Sequence, residues 1–430
     1  IDFNLSSNNF VKVNTVGNTV SSRIGFDISN SLSSFSMSNG RIIIANANGT
    51  SPSTADYKVS ATLGSGMTGG VIQSGDTILT PTGTTIKISG TMPIYDLHFA
   101  NNPANLVSSQ ITESIFTIKN NWKLDSSHSF NLDGNSVKLA GNLLNYGNFS
   151  AVPTSATSNP WLIEVNGNSN QLLYSKNAPF ELYKFSVNKS GGNVILADSG
   201  QSNLIIRNSL EFTTPNQAFI DASNTNRFVE LSPNSFSTPS IFRVGLGHVF
   251  GRLYRHIPTG ASITEYPVGA DTITSYRPAI FQTVGTGGTA GLIGVRHYPV
   301  VHPDTSSAPF IPYQSIKKYW NLDDPSSFDL GSRTFNLTLQ FINPGDLNGS
   351  LPNFFDMYLY NPPHPAVGSW TELTTTLKTD TTTRSSNNTT FGDFTVAEPA
   401  GLTFYSYNSG DWDNINTWSL SGYTTLTVPT

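Results

Sequence analysis

The chain has 430 residues, no cysteine, 12% charged residues and a formal net charge of −5, so disulfides, thiolate metal sites and cysteine nucleophiles are excluded. The lack of any Lys/Arg cluster argues against nucleic acid, whose binding rests on neutralising phosphates. Aromatics reach 11% beneath a neutral surface of Ser, Thr, Asn and Gly, which suits an extracellular β protein, and no apolar run approaches a membrane span.

From the start to about residue 235, short alternating runs are punctuated by Gly, Asn and Ser, as in 41–45 (RIIIA), 84–88 (TTIKI), 137–143 and 193–196. Within this region 94–124 aligns without a gap on 182–212, at an offset of 182 − 94 = 88. Tyr95 falls on Tyr183, Leu97 on Phe185, Phe99 on Val187, and Trp122 on Leu210. Apolar character returns at every second position, the mark of strands with one face in a core. Self-similarity at fixed spacing marks stacked repeats. The reading is an all-β chain whose residues 1–235 form a right-handed parallel β-helix. Tyr95, Leu97, Phe99, Tyr183, Phe185 and Val187 are its expected inward ladder, so aspartate at Leu97 or Phe185 should unfold it while Asp96→Ala should change little.

Near Ser235 the style changes, with Pro239, Pro258, Pro267 and Pro278 in quick succession. Residues 236–400 read as an antiparallel β-sandwich. In 333–341 (RTFNLTLQF), Phe335, Leu337, Leu339 and Phe341 share one face, and 355–360, 370–373 and 391–396 look like further strands. The Thr- and Asn-rich stretch 373–390 reads as a hairpin or a flexible excursion. Residues 401–430 open a further, incomplete module, and the chain is expected to be an internal slice of a longer one.

Residues 251–278, GRLYRHIPTG…TEYPVGADTITSYRPAIF in outline, resemble the "G-x-L-x-R…F-P-V-G…Y-R-P" passage of very large Bacteroidota cell-surface proteins. These are adhesin-like substrates of type IX secretion that include gliding-motility adhesins. Residues 318–322 (KYWNL) and 391–396 are similar to that family's sandwich strands, and 409–419 (SGDWDNINTWS) to its recurring module opening. The resemblance implies an extracellular, cell-surface location and a structural or adhesive role. It also implies partners: other modules of the same chain, the secretion machinery during export, and surface glycans. Nucleic acid and membrane insertion are not expected. In Bacteroidota, O-glycosylation uses D-[ST]-hydrophobic acceptors, which makes Thr77, Thr272 and Thr381 candidates; the N-x-[ST] sites such as Asn148 and Asn336 are then accidents of composition.

β-Helices also serve polysaccharide lyases and hydrolases, which need two carboxylates within reach of one bond. Asp76, Asp96, Asp125, Asp133, Glu164, Glu181, Asp198 and Asp221 are thinly spread, and convergence near Asp125 or Asp198 would mark such an enzyme. Asp133 and Asp221 coincide in the repeat and read as structural corners. Calcium, the one cofactor considered, could take Asp323, Asp324 and Asp329, or Asp411 and Asp413. Neither set follows the Ca²⁺-loop pattern, so turn-capping is the reading. His297 and His302 lack a third ligand at metal spacing and read as core or surface histidines. Trp122 reads as core, while Trp161, Trp320 and Trp370 are either core or sugar-stacking platforms. No catalytic, cofactor or metal residue is assigned. A non-enzymatic stalk or adhesin segment is expected, with a glycan-processing β-helix enzyme and a glycan-binding module as alternatives.

Overall fold

The computed structural model describes residues 2–13, 25–45, 55–76, 85–100, 108–126, 128–214, 218–325, 328–400, 405–406, 408, 411, 414 and 417–419. It is an all-β chain in two compact units, Ile1–Tyr254 with Asp271–Tyr276, and Arg255–Ala270 with Arg277–Thr430.

The first unit is a parallel β-helix in which each coil contributes strands to three faces. On one face Arg41–Ile44, Val71–Ser74, Asp96–Phe99, Trp122–Leu124, Leu143–Asn145, Gln171–Ser175 and Val194–Leu196 pair in parallel, coil upon coil. A second face carries Thr85–Ser89, Ser108–Ile111, Ser129–Asn131 and Asn148–Ala151. The third carries Ile115–Ile118, Ser136–Leu139 and Leu162–Val165. Phe180–Val187 and Leu204–Phe212 each run over both of these faces, paired with a register shift between Leu182 and Lys184. Strands form because alternate residues are apolar: Ile115–Ile118 and Leu162–Val165 bury Phe116, Ile118, Ile163 and Val165 and leave the residues between them half-buried or exposed. In-register stacking then builds ladders such as Ile42–Ile72–Leu97–Trp122–Leu143–Leu173–Leu196 and Phe116–Val137–Ile163–Phe185–Leu210. Fully burying each such side chain stabilises by about 1.5–3 kcal/mol.

The 88-residue repeat is not a repeat of coil positions. Leu97 lies on the first face and Phe185 on the third; Trp122 lies on the first and its counterpart Leu210 on the third. Along the first face the advance per coil is 122 − 97 = 25, then 21, 30 and 23 residues, so no single offset can keep ladder positions. The two stretches superpose apolar on apolar because each is made of strands whose side chains alternate with period two, and the offset of 88 brings those strands into phase. Leu97, Phe99, Phe185 and Val187 are buried as expected. Tyr95 is not in the ladder: it is half-exposed, and the inward residue is Ile94, which bridges to Ile118 just before the chain turns onto the next face. Tyr183 is buried but sits at the register shift, its ring 6.4 Å from that of Phe236.

Amide side chains stitch the coils at one corner. The Asn121 N–H donates to Asp96 Oδ1 at 2.8 Å, the Asn142 N–H to Asn121 Oδ1 at 3.1 Å, and the Leu172 N–H to Asn142 Oδ1 at 2.7 Å. Asn170 and Asn193 repeat the contact to the N–H groups of Asn193 and Phe219 at 2.9 and 3.3 Å. Asp96 therefore acts as the first member of an amide ladder, which corrects the expectation that its side chain is dispensable. Burial raises its carboxyl pKa, against the hydrogen bonds from Asn121 and Asn120. Asp96→Ala is expected to cost about 1–2 kcal/mol in a urea melt, and Asp96→Asn, which keeps the acceptor, much less.

The boundary expected near Ser235 lies later. Ser240–Arg243 still pairs with Ser209–Phe212 of the helix, and Val249 to Gly251 with Ile220–Ala222. Pro239 precedes a coil strand rather than ending the helix. At Gly251, φ is +129° and a Cβ would meet the Ala222 carbonyl oxygen at 2.0 Å, so only glycine fits the closing coil.

The second unit is an antiparallel sandwich. One sheet orders Ser262–Tyr266, Ala279–Val284, Thr334–Gln340, Thr382–Asn388 and Thr375–Lys378. The other contains Gly291–Tyr298, Tyr319–Asp323, Gly392–Pro399, Asp356–Asn361 and Ser369–Glu372. Phe335, Leu337 and Leu339 are fully buried and Phe341 nearly so, the shared face expected. The stretch 373–390 resolves into a hairpin. Of residues 401–430, the structure describes 405–406, 408, 411, 414 and 417–419, in which Tyr405–Ser406 pairs with Trp418–Ser419; the rest of that expected module lies outside the described residues. Among the described residues no helix is long and apolar enough to cross a membrane.

Each unit buries two histidines among the described residues, His128 and His248 in the first and His297 and His302 in the second. His128 stacks on Phe99 at 5.3 Å and shares a hydrogen bond of 2.8 Å with Ser109 Oγ; burial lowers its pKa to about 4. Burial, followed by the Lys318 charge, lowers that of His297 to about 3. Since the unfolded chain protonates first, near pH 6.5, stability is full above that pH and falls as pH drops towards 4. The loss is about 3 kcal/mol for His128 by that point. Chemical melts between pH 7.5 and 4 should show this slope, and His128→Asn should flatten it for the helix.

Candidate functional site

Outward-pointing side chains of the first face bring together a cluster of mixed chemistry on the helix. His98, Lys123, Leu144 and Tyr174 occupy one register column over four successive coils. The column stands out from the sheet because its neighbours Leu97, Trp122, Leu143 and Leu173 point inward. His98 Nε2 lies 2.9 Å from Asp125 Oδ2, and Lys123 Nζ lies 2.8 Å from Asp125 Oδ1. Burial pushes the Asp125 carboxyl up, but the hydrogen bonds and charges of His98 and Lys123 together outweigh it and hold it at about 2. This carboxylate is thus ionised across the neutral range, an acceptor and not a proton donor.

One step along the column, the rings of Tyr146 and Tyr174 lie 5.1 Å apart with an interplanar angle of 52°. The Lys123 ammonium is 5.7 Å from the Tyr146 centroid, within cation–π range. Both tyrosines are half-buried, and neither hydroxyl bonds to another described residue. On the same face a depression of about 210 Å³ is lined by Arg41, Asp96, His98, Asn121, Lys123 and Leu144, among others. Arg41 bonds to Gln73 Oε1. The arrangement presents aromatic surface, an aliphatic floor, ammonium and guanidinium donors and the carboxylates of Asp96 and Asp125.

The residues singled out in the sequence are placed differently. Trp122 and Trp320 are fully buried, and the Trp320 indole N–H donates to the Arg277 carbonyl at 3.0 Å. Trp370 packs on Phe310 and Tyr360 at 4.9 and 5.0 Å and donates to the Asp304 carbonyl at 2.8 Å. Trp161 is half-buried at a left-handed φ of 42°. The aromatic platform is made of tyrosines, which sequence reasoning passed over. Asp198 is exposed, and its turn is held by Arg227, which donates to the carbonyls of Ala197, Asp198 and Gly200. Asp133 sits in a turn at φ 51°, whereas Asp221 lies within the strand Ile220–Ala222 of the first face, its Oδ1 accepting the Ser223 N–H at 3.0 Å, which corrects the expectation of two equivalent corners.

His302 is a core histidine. It lies 4.8 Å from each of Tyr319, Tyr360 and Trp370. Its Nδ1 accepts the Asp304 N–H at 3.1 Å, which leaves the proton on Nε2, 3.1 Å from Asp393 Oδ2. Asp329 caps the turn at Gly331. Among the described residues no group of three or more His, Cys, Asp or Glu side chains could hold a metal; Asp413 lies outside them. Of the glycosylation candidates, Thr77 also lies outside the described residues. Thr272 and Thr381 are exposed, though Thr272 Oγ1 is within 2.5 Å of Ser275 Oγ.

The motif residues near residue 260 are structural in the second unit. Arg255 donates to the Glu265 carbonyl at 2.6 Å, the Tyr266 hydroxyl to the Ile293 carbonyl at 3.1 Å, and Arg277 pairs with Asp346, Nη2 to Oδ1 at 2.9 Å. No family model matches the chain, and no curated protein or solved structure matches it either.

Proposed function

We propose that this chain is a non-enzymatic structural and adhesive segment of a secreted cell-surface protein, of the adhesin-like kind that type IX secretion exports in Bacteroidota. The observation that supports this reading is how side-chain bonding is used in the helix. Asp96, Asn121, Asn142, Asn170 and Asn193 each hold a backbone N–H of the next coil. The buried Lys189 holds the carbonyls of Gly167 and Ser169 and the Gln171 amide oxygen at 2.6–3.0 Å. Interactions that join each coil to the next suit a part whose task is mechanical continuity.

The role is tested in the source cells. Antibody against the chain is expected to label intact cells, and deleting its coding segment to lower attachment to surfaces. Protein confined to the cell interior, or attachment unchanged by the deletion, would refute the reading.

A further inference from the structure

We propose that the outer column His98–Lys123–Leu144–Tyr174, with Tyr146 beside it, binds a neutral oligosaccharide laid along the helix axis. This deepens the attachment role proposed above and rests on it, by naming the ligand that the surface takes. Three observations carry it.

The first is the paired tyrosines. Aromatic side chains on the outside of a sheet are half-buried against each other while both hydroxyls remain without a partner among the described residues. Sugars present C–H faces that stack on rings and hydroxyls that bond beside them, so this combination of surface and free hydroxyl matches them. The second is the charge arrangement. Lys123 and Asp125 neutralise each other at 2.8 Å, leaving a dipolar pair that both donates to and accepts from hydroxyls without favouring a charged ligand. The third is spacing. Neighbouring strands lie about 4.8 Å apart, so the column offers one contact per coil at a step close to the advance of one pyranose ring in an extended chain. The depression beside Lys123 would seat a terminal or branching ring.

The test uses the purified full chain and a panel of neutral hexasaccharides (cellohexaose, xylohexaose, laminarihexaose and mannohexaose), with polygalacturonate as the acidic comparison, measured by calorimetry at 50 and 500 mM salt. At least one neutral hexasaccharide is expected to bind with little salt dependence. Tyr174→Ala should weaken that binding at least fivefold and Tyr174→Phe much less. Asp125→Asn should weaken it with the fold intact by circular dichroism. Binding of none of the neutral panel, binding unaffected by Tyr174→Ala and Tyr146→Ala, or binding of the acidic polymer alone would each overturn the proposal. Because the assay uses purified protein, its failure leaves the surface-labelling result standing, and failure of surface labelling leaves a measured affinity standing.

Discussion

Phe185→Asp is expected to unfold the β-helix, lowering its stability by about 5 kcal/mol or more, as the lost ring and a buried, unpaired carboxylate add. Phe185 is fully buried and lies in register between Ile163 and Leu210. Because each coil rests only on its neighbours, the break should spread from Leu162–Val165 to Leu204–Phe212 before it reaches distant coils. Hydrogen exchange would show protection lost first in those strands. Tyr95→Asp supplies the contrast. Tyr95 is half-exposed at a corner, so its change should cost less than about 1 kcal/mol. If Tyr95→Asp proved as damaging as Phe185→Asp in urea melts, Tyr95 would belong to the ladder after all.

For the second unit the largest expected effect is at Arg333. Its side chain is almost completely buried, yet it forms no ion pair with a described carboxylate. The guanidinium donates to five carbonyls, those of Leu330, Pro258, Gly260, Thr289 and Asp329, at 2.8–3.3 Å, and lies 5.2 Å from the Phe328 ring. One side chain thereby ties together three loops remote in sequence. Arg333→Ala removes the common donor and is expected to destabilise the sandwich by about 3 kcal/mol. Arg333→Lys keeps the charge but lacks the planar fork, so it should recover only part of the loss. Thermal and chemical melts that place the alanine variant within about 1 kcal/mol of the parent would disprove this account.

Both predictions rest on features that differ in how visible they are in the sequence. The alternation that buries Phe185, and that sets Phe335, Leu337 and Leu339 on one face of Thr334–Gln340, is plain in the order of residues. Nothing in the order marks Arg333, an arginine after glycine and serine in a loop. Its acceptors are backbone carbonyls, which every residue possesses, so no side-chain pattern could announce them. The site is hidden for a related reason. Tyr146 and Tyr174 come from different coils, separated by the strands Asn148–Ala151 and Leu162–Val165, and only the stacking of Leu143–Asn145 on Gln171–Ser175 makes them neighbours. Tryptophan, the aromatic that composition points to as a sugar platform, does not form it, since Trp122 and Trp320 are wholly in the core.

The sequence by itself determined the strand content, the order of a parallel solenoid before an antiparallel sandwich, and the inward parity of Leu97, Phe99, Phe185 and Val187. These depend on a period of two along each strand, which is a local property of the extended backbone. Only the tertiary structure decided which face each strand occupies, that the 94–124 and 182–212 copies lie on different faces, that the helix runs on to Tyr254, and that Asp96 stitches coils. Those depend on turn lengths accumulated around each coil, and alternation within a strand carries no information about the turn that follows it.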